Sequence, residues 1–214
     1  KYIDGTYIFT ADENPAELIH LPGSTEPLIS PKNNSRGDIT IKNLIINGNK
    51  ENISNRLTAV EIKCNRAMLI NCRFINTIAQ AFSIDSTRLT VIRDCTFKDM
   101  AEHSGIAGEF SRAGYIMGSS NVIIDSCEIT AEPPSLEGGA PGGFFIAGVS
   151  PIVTIVNNTF RGIGQSAQNN FNGNIDLYAN VHQAIIIGNR FYDYEYTPLK
   201  LQNSGEVIVD NNII

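Results

Sequence analysis

One short phrase recurs along this chain, and it limits what the chain can fold into more than any other feature. Set beneath one another, Met68–Phe74, Val91–Phe97, Ile123–Ile129, Thr154–Phe160, Ile185–Phe191 and Val207–Ile213 share an aliphatic run, a small polar turn and a bulky apolar residue. Ile41–Ile45 is a shorter relative near the front. A unit of this size cannot bury its own apolar face, so the copies must stack on one another as a solenoid. With the last apolar residue as marker, successive copies lie 22 to 32 residues apart. A strict short-repeat array excludes such variation; a fixed coil carrying loops of different length accommodates it.

Upstream of each marker lies a further short segment with alternating polarity: Ala59–Lys63, Ala81–Asp85, Ala113–Met117, Gly143–Ala147, Asn174–Tyr178 and Pro198–Gln202. Side chains alternate across a strand, so Val60/Ile62, Phe82/Ile84, Gly114/Ile116, Phe144/Ile146, Ile175/Leu177 and Leu199/Leu201 are assigned to the interior. No helical apolar period occurs between Asp38 and Ile214, and the segments are rich in Ile, Val, Phe, Thr and Asn. The expected class is all-β: a right-handed parallel β-helix, a single-stranded solenoid with three short strands per coil. Residues 1–37, broken by Pro15, Pro22, Pro27 and Pro31 and opening on a Gly-turned strand pair at Tyr2–Phe9, are expected to form a capping coil. Residues 38–214 are then one continuous domain. Because the chain begins at Lys1 and stops within a repeat, at Asn211–Ile214, it is expected to be part of a longer helix.

Cys72, Cys95 and Cys127 hold the same place in successive copies, where Asn158, Asn189 and Asn211 stand in the later ones. A buried stack of free thiols continuing into a hydrogen-bonded amide ladder is expected, since side chains pointing the same way suit a disulfide poorly. The 214 residues carry a formal charge of −6 without any basic stripe, which leaves a nucleic-acid partner no electrostatic footprint. No apolar run approaches the length of a membrane span. No metal-ligating motif is present, and no cofactor is expected.

The aliphatic-Ile-x-x-Asn/Cys-x-Phe pattern, the Gly5-Thr6-Tyr7 opening and the phrase Ile39–Asn49 together resemble the pectin-lyase-like superfamily over nearly the whole chain. The resemblance implies the fold, and a setting outside the cell or on a virion, since the superfamily includes polysaccharide lyases, glycoside hydrolases, uronate epimerases and phage tailspikes. The chain lacks the Asp-Asp and Arg-x-Lys signatures of polygalacturonases, the Asp-Pro-His of mannuronan epimerases and the Trp-x-Asp-His of pectate lyases. It sits nearest the divergent members, tailspikes among them.

By that analogy, substrate lies along the outer face of the strands that follow the longest loops, 98–112, 130–142 and 161–172. The outward columns read Glu61, Ser83, Tyr115, Phe145, Asp176, Lys200 and, beside it, Lys63, Asp85, Met117, Ala147, Tyr178, Gln202. Tyr115, Phe145 and Tyr178 offer apolar surface to a pyranose. Glycoside hydrolysis needs two carboxyl groups, and Glu61 and Asp85 stand diagonally on adjacent coils, roughly 6–8 Å apart. Lys63 lies beside them. Asp176 with Lys200 is a second acid/base combination; a lysine beside a carboxylate keeps its proton, so hydrolysis is chemically easier than elimination. His103 and Arg112 are placed in the longest loop, overhanging Asp85. The catalytic candidates are Glu61, Asp85 and Asp176; the substrate-binding candidates are Lys63, Tyr115, Phe145, Tyr178, Lys200, His103 and Arg112. The reading is a β-helix that binds and cleaves an extracellular polysaccharide, by hydrolysis or elimination, with a non-catalytic glycan-binding or spacer module as the alternative. The outward positions of the strands within the repeat phrase are more apolar than a solvated face requires, which predicts side-by-side packing into a homotrimer.

Overall fold

The computed structural model describes residues 6–12, 14–30, 37–53, 57–100, 112–130, 142–148, 152–163, 174–178, 181–193, 197–202 and 205–214. Among them the chain forms strands β1 to β21 in chain order and no helix. All strands run parallel in three sheets, the arrangement of a parallel β-solenoid consistent with a right-handed β-helix.

The eight-stranded sheet stacks β1 (Tyr7–Thr10), β3 (Asp38–Lys42), β6 (Arg66–Ile70), β9 (Leu89–Arg93), β12 (Asn121–Asp125), β15 (Ile152–Val156), β18 (Gln183–Ile187) and β21 (Glu206–Asp210). The seven-stranded sheet stacks β2 (Ala16–Ile19), β4 (Leu44–Asn47), β7 (Arg73–Ile75), β10 (Thr96–Lys98), β13 (Glu128–Thr130), β16 (Thr159–Arg161) and β19 (Arg190–Tyr192). The six-stranded sheet stacks β5 (Val60–Lys63), β8 (Gln80–Asp85), β11 (Arg112–Met117), β14 (Gly142–Ala147), β17 (Ile175–Tyr178) and β20 (Leu199–Gln202). Each full coil visits the three in that order. The opening segment joins the same sheets: β1 pairs with β3 and β2 with β4, both in parallel.

A chain can turn this sharply from strand to strand only through the left-handed region, where a Cβ is disfavoured and short polar side chains are tolerated best. The corner between the eight- and seven-stranded sheets accordingly uses Asn43, Asn71, Asp94, Ser126, Asn157 and Asn211, all with φ between 50° and 59°. Residues that looked like generic polar turns in the sequence are therefore fixed by backbone geometry.

The residue after each of these turns, from Asn71 onward, points inward and builds the ladder. Asn158 Nδ2 donates to Ile124 O at 3.1 Å and to Asn189 Oδ1 at 2.9 Å, and Asn189 Nδ2 donates to Ile155 O at 2.9 Å and to Asn212 Oδ1 at 3.0 Å. In the earlier coils the thiols take over these carbonyls, Cys95 Sγ lying 3.4 Å from Leu69 O and Cys127 Sγ 3.7 Å from Ile92 O. All four cysteines are free and buried. The final rung corrects the sequence alignment by one residue. Ile185 pairs with Ile208 and Ile187 with Asp210, so the ladder residue is Asn212, and Asn211 is the left-handed turn. The same slip affects the first copy, where Ile46 and not Ile45 is in register with Phe74.

The interior is a column of rings. Phe74 stacks on Phe97 with centroids 5.0 Å apart, and Phe160 stacks on Phe191 at the same distance. Between them Phe82 and Phe144 fill the space that Gly114 leaves open on β11; a Cβ on Gly114 would lie 2.0 Å from the Phe82 ring. The interior positions assigned by alternation are buried from Val60 through Leu177, while Leu201 is exposed.

Candidate functional site

The outer face of the six-stranded sheet carries its side chains in the two columns that alternation predicts. Glu61 is in register with Ser83, Ser83 with Tyr115, Tyr115 with Phe145, Phe145 with Asp176, and Asp176 with Lys200. The second column runs Lys63, Asp85, Met117, Ala147, Tyr178, Gln202. Three groups of side chains occupy this face.

At the β5–β8 end, Lys63 Nζ lies 3.0 Å from Asp85 Oδ2, and the Ser86 hydroxyl donates to Asp85 Oδ1 at 2.7 Å. Partial burial works against the charged carboxylate, but the bonds from Ser86 and Lys63 outweigh it and hold Asp85 below its usual value. Glu61 is exposed and diagonal to Asp85.

The middle is aromatic. Tyr115 and Phe145 stack with centroids 4.8 Å apart and planes within 2°, and Phe145 and Tyr178 stack at 5.7 Å and 28°. Rings stacked at the rung spacing present edges outward and turn their faces toward one another. Separate pyranose platforms at Tyr115 and Phe145 are thus closed, and Tyr178, 47% exposed, offers the most ring surface. A sugar would meet a ribbed apolar edge with Tyr178 as its open end.

The third group was only half visible in the sequence. Arg112 is the first residue of β11, not part of an overhanging loop, and it lies away from Asp85. Its guanidinium carbon sits 4.8 Å from the centroid of Phe145, and its Nη2 is 3.5 Å from Asp176 Oδ2, two strands away. The intervening strand begins Gly142-Gly143, which places no side chain across that path. Asp176 and Arg112 are both buried. Burial pushes the Asp176 carboxyl up, against the opposing charges of Arg112 and Lys200. Asp176 Oδ1 and the neighbouring Asn174 Oδ1 are buried with no hydrogen-bond partner among the described residues. Alternation alone did not separate the buried Asp176 from the exposed Glu61, because both stand at outward positions of alternating strands. The Gly-Gly pair opposite Arg112 was the available signal.

Asp85 and Asp176 stand on strands three rungs apart, roughly 14 Å, too far to flank one glycosidic bond. Among the described candidates, Glu61 and Asp85 stand diagonally on neighbouring strands. His103 lies outside the described residues. Among the described residues no cluster of His, Cys, Asp or Glu is grouped to hold a metal ion, and no helix is long and apolar enough to cross a membrane.

No protein-family model, curated protein or solved structure matches this chain. The geometry of its own residues therefore carries the functional reading.

Proposed function

We propose that this chain is a carbohydrate-active β-helix of the pectin-lyase-like kind, which binds an extracellular polysaccharide along the outer face of its six-stranded sheet and hydrolyses it at the β5–β8 end. The observation that carries the reading is the pair of diagonal carboxylates, Glu61 and Asp85, set beside a continuous aromatic edge. Lys63 and Ser86 keep Asp85 ionised, which suits a base or nucleophile. Glu61, exposed and across the diagonal, is then the proton donor. Tyr178 and the ring edges of Tyr115 and Phe145 hold the chain of sugars against the sheet, with Lys200 flanking them at the far end.

The test is incubation with a panel of capsular, O-antigen and uronate polysaccharides, reading reducing ends and unsaturated products together. New reducing ends without unsaturation are expected from the wild type. Glu61→Gln and Asp85→Asn should each lower that rate by about 10²–10⁴-fold while leaving binding in place. Unsaturated products would move the chemistry to elimination and to Lys200.

A second reading rests on the Lys63–Asp85 ion pair and the closed ring stack, which together leave less reactive surface than the columns suggested. In that reading the face binds glycan without cleaving it, or the solenoid serves as a spacer. Saturable binding with no new ends across the panel would establish it.

A further inference from the structure

The outer face of the eight-stranded sheet has an apolar midline and a polarised rim. Its central column runs along the eight described strands from Ile8 to Ile208, apolar except for Thr40 and Thr154, with Val91 and Ile123 on the two middle strands. Ile8 is 64% exposed and Ile208 43%. Net charge on the strands differs between the two halves of this face. Lys42, Arg66 and Arg93 belong to β3, β6 and β9, whereas Asp125, Glu206 and Asp210 belong to β12 and β21. The one carboxylate in the basic half, Asp38, is engaged by Arg66 Nε at 2.9 Å. That bond accounts first for the lowering of the Asp38 carboxyl below its usual value. One half of the face is therefore basic and the other acidic, about a midpoint between β9 and β12.

Turned end for end, such a face lays its net basic half over its net acidic half, with Arg93 and Asp125 as the opposite charges that meet directly. We propose that two copies of this chain pack these faces together as an antiparallel dimer, with a two-fold axis along the strand direction between β9 and β12. A rotation about that axis keeps strand direction and reverses the solenoid. It sets Val91 against Ile123 of the second copy and Ile8 against Ile208. On the rim it sets Arg93 against Asp125. These two already bond within one chain, Arg93 Nε to Asp125 Oδ2 at 3.2 Å, so the dimer brings both pairs into a four-charge cluster at its centre. No like charges on the described strands meet. Side-by-side parallel packing, as in a trimer, instead sets basic half against basic half, so the rim charges favour the antiparallel pair.

Eight strands at 4.8 Å and about five residues of width give roughly 550 Å² of face on each copy, or about 1,100 Å² in total. That lies at the lower end of specific interfaces, so a dimer of micromolar rather than picomolar strength is expected.

Sedimentation of the chain across a concentration series tests this. The expected species has twice the monomer mass of 23.4 kDa. Ile123→Arg should weaken its dissociation constant by roughly 30-fold or more, as truncation of a central contact does. Leu21→Arg, an exposed apolar position on neither this face nor the six-stranded sheet, should leave it unchanged. Orientation is read by mixing chains that carry Ile8→Cys with chains that carry Ile208→Cys and adding a short bismaleimide. Antiparallel packing links unlike chains; parallel packing links each to its own kind. A monomer at every concentration, a trimer, self-linked Ile8→Cys chains, or equal loss of dimer in the Leu21 variant would each overturn the proposal.

Discussion

Asn189 makes the clearest case at the scale of single residues. Its amide donates to Ile155 O and Asn212 Oδ1, and its Oδ1 accepts from the Asn158 backbone N–H at 3.0 Å, with the Asn189 side chain itself fully buried. Replacing it by Ala strands several buried polar groups at once. Cys95, at the equivalent place, makes longer bonds through a weak donor, and burial, together with the Cys127 thiol beside it, keeps it protonated. Asn189→Ala should cost about 2–4 kcal/mol and Cys95→Ala about 1 kcal/mol, measured by urea unfolding. A second prediction concerns His20, which is buried in the first coil. Burial pushes its imidazole below the ordinary 6.5, opposed in part by backbone groups of Gly48 and Glu26. A base with a depressed folded value contributes stability that is complete above its unfolded value and is lost as pH falls through it. Unfolding free energy should therefore decline as pH falls through 6.5, and that slope should flatten in His20→Phe. The ladder itself was legible in the sequence, because thiols and amides recur at one place in the phrase. Its last rung was misplaced because Asn211 and Asn212 are identical in type. Only the strand register separates the turn residue from the bonded one.

At the scale of elements, the six-stranded sheet shows how alternation can place a side chain without giving its surroundings. Both outward columns were legible residue by residue, since parity along a strand survives any uncertainty about loops. Which members of a column are buried was not legible, because that depends on Arg112 crossing the glycine pair of β14. The two ion pairs on this face now separate by environment. Lys63 and Asp85 are about half exposed, whereas the side chains of Arg112 and Asp176 are 6% and 3% exposed. Removing one partner of a buried pair leaves an uncompensated charge; removing one from water leaves little. Arg112→Met should destabilise the fold by about 3–5 kcal/mol and Lys63→Met by less than about 1 kcal/mol, read from thermal and denaturant midpoints. Comparable losses in the two variants would contradict the burial difference that gives the Arg112–Asp176 pair its structural part.

For the whole molecule, strands pair only with those of adjacent coils, and few side chains, Arg112 among them, reach one coil further, so stability is distributed along the axis largely as a sum of rungs. The central rungs hold the stacked phenylalanines with essentially no exposure, while β1 and β21 are largely exposed. Hydrogen exchange should be slowest in β9, β12 and β15 and fastest in β1, β2, β20 and β21, in order of distance from the centre. Uniform protection throughout would mean that the rungs unfold together. The architecture could be inferred from the repeat phrase because one short pattern has to satisfy turn, ladder and core at once. The partner on each face could not, because surface positions answer to ligands and to other chains.

The three corners of the coil differ in what they permit. Two of them pass in one to four residues, as at 71–72 and 86–88, and hold the frame by left-handed turns and the ladder. The third, between the seven- and six-stranded sheets, ranges from 76–79 to the longer stretches 99–111, 131–141 and 162–174. Length has therefore accumulated at a single seam, the one that opens onto the aromatic edge. Segments at that seam can be traded as cassettes while the rungs stay in register, so relatives on this frame could change what they recognise by recombination at a few fixed joints.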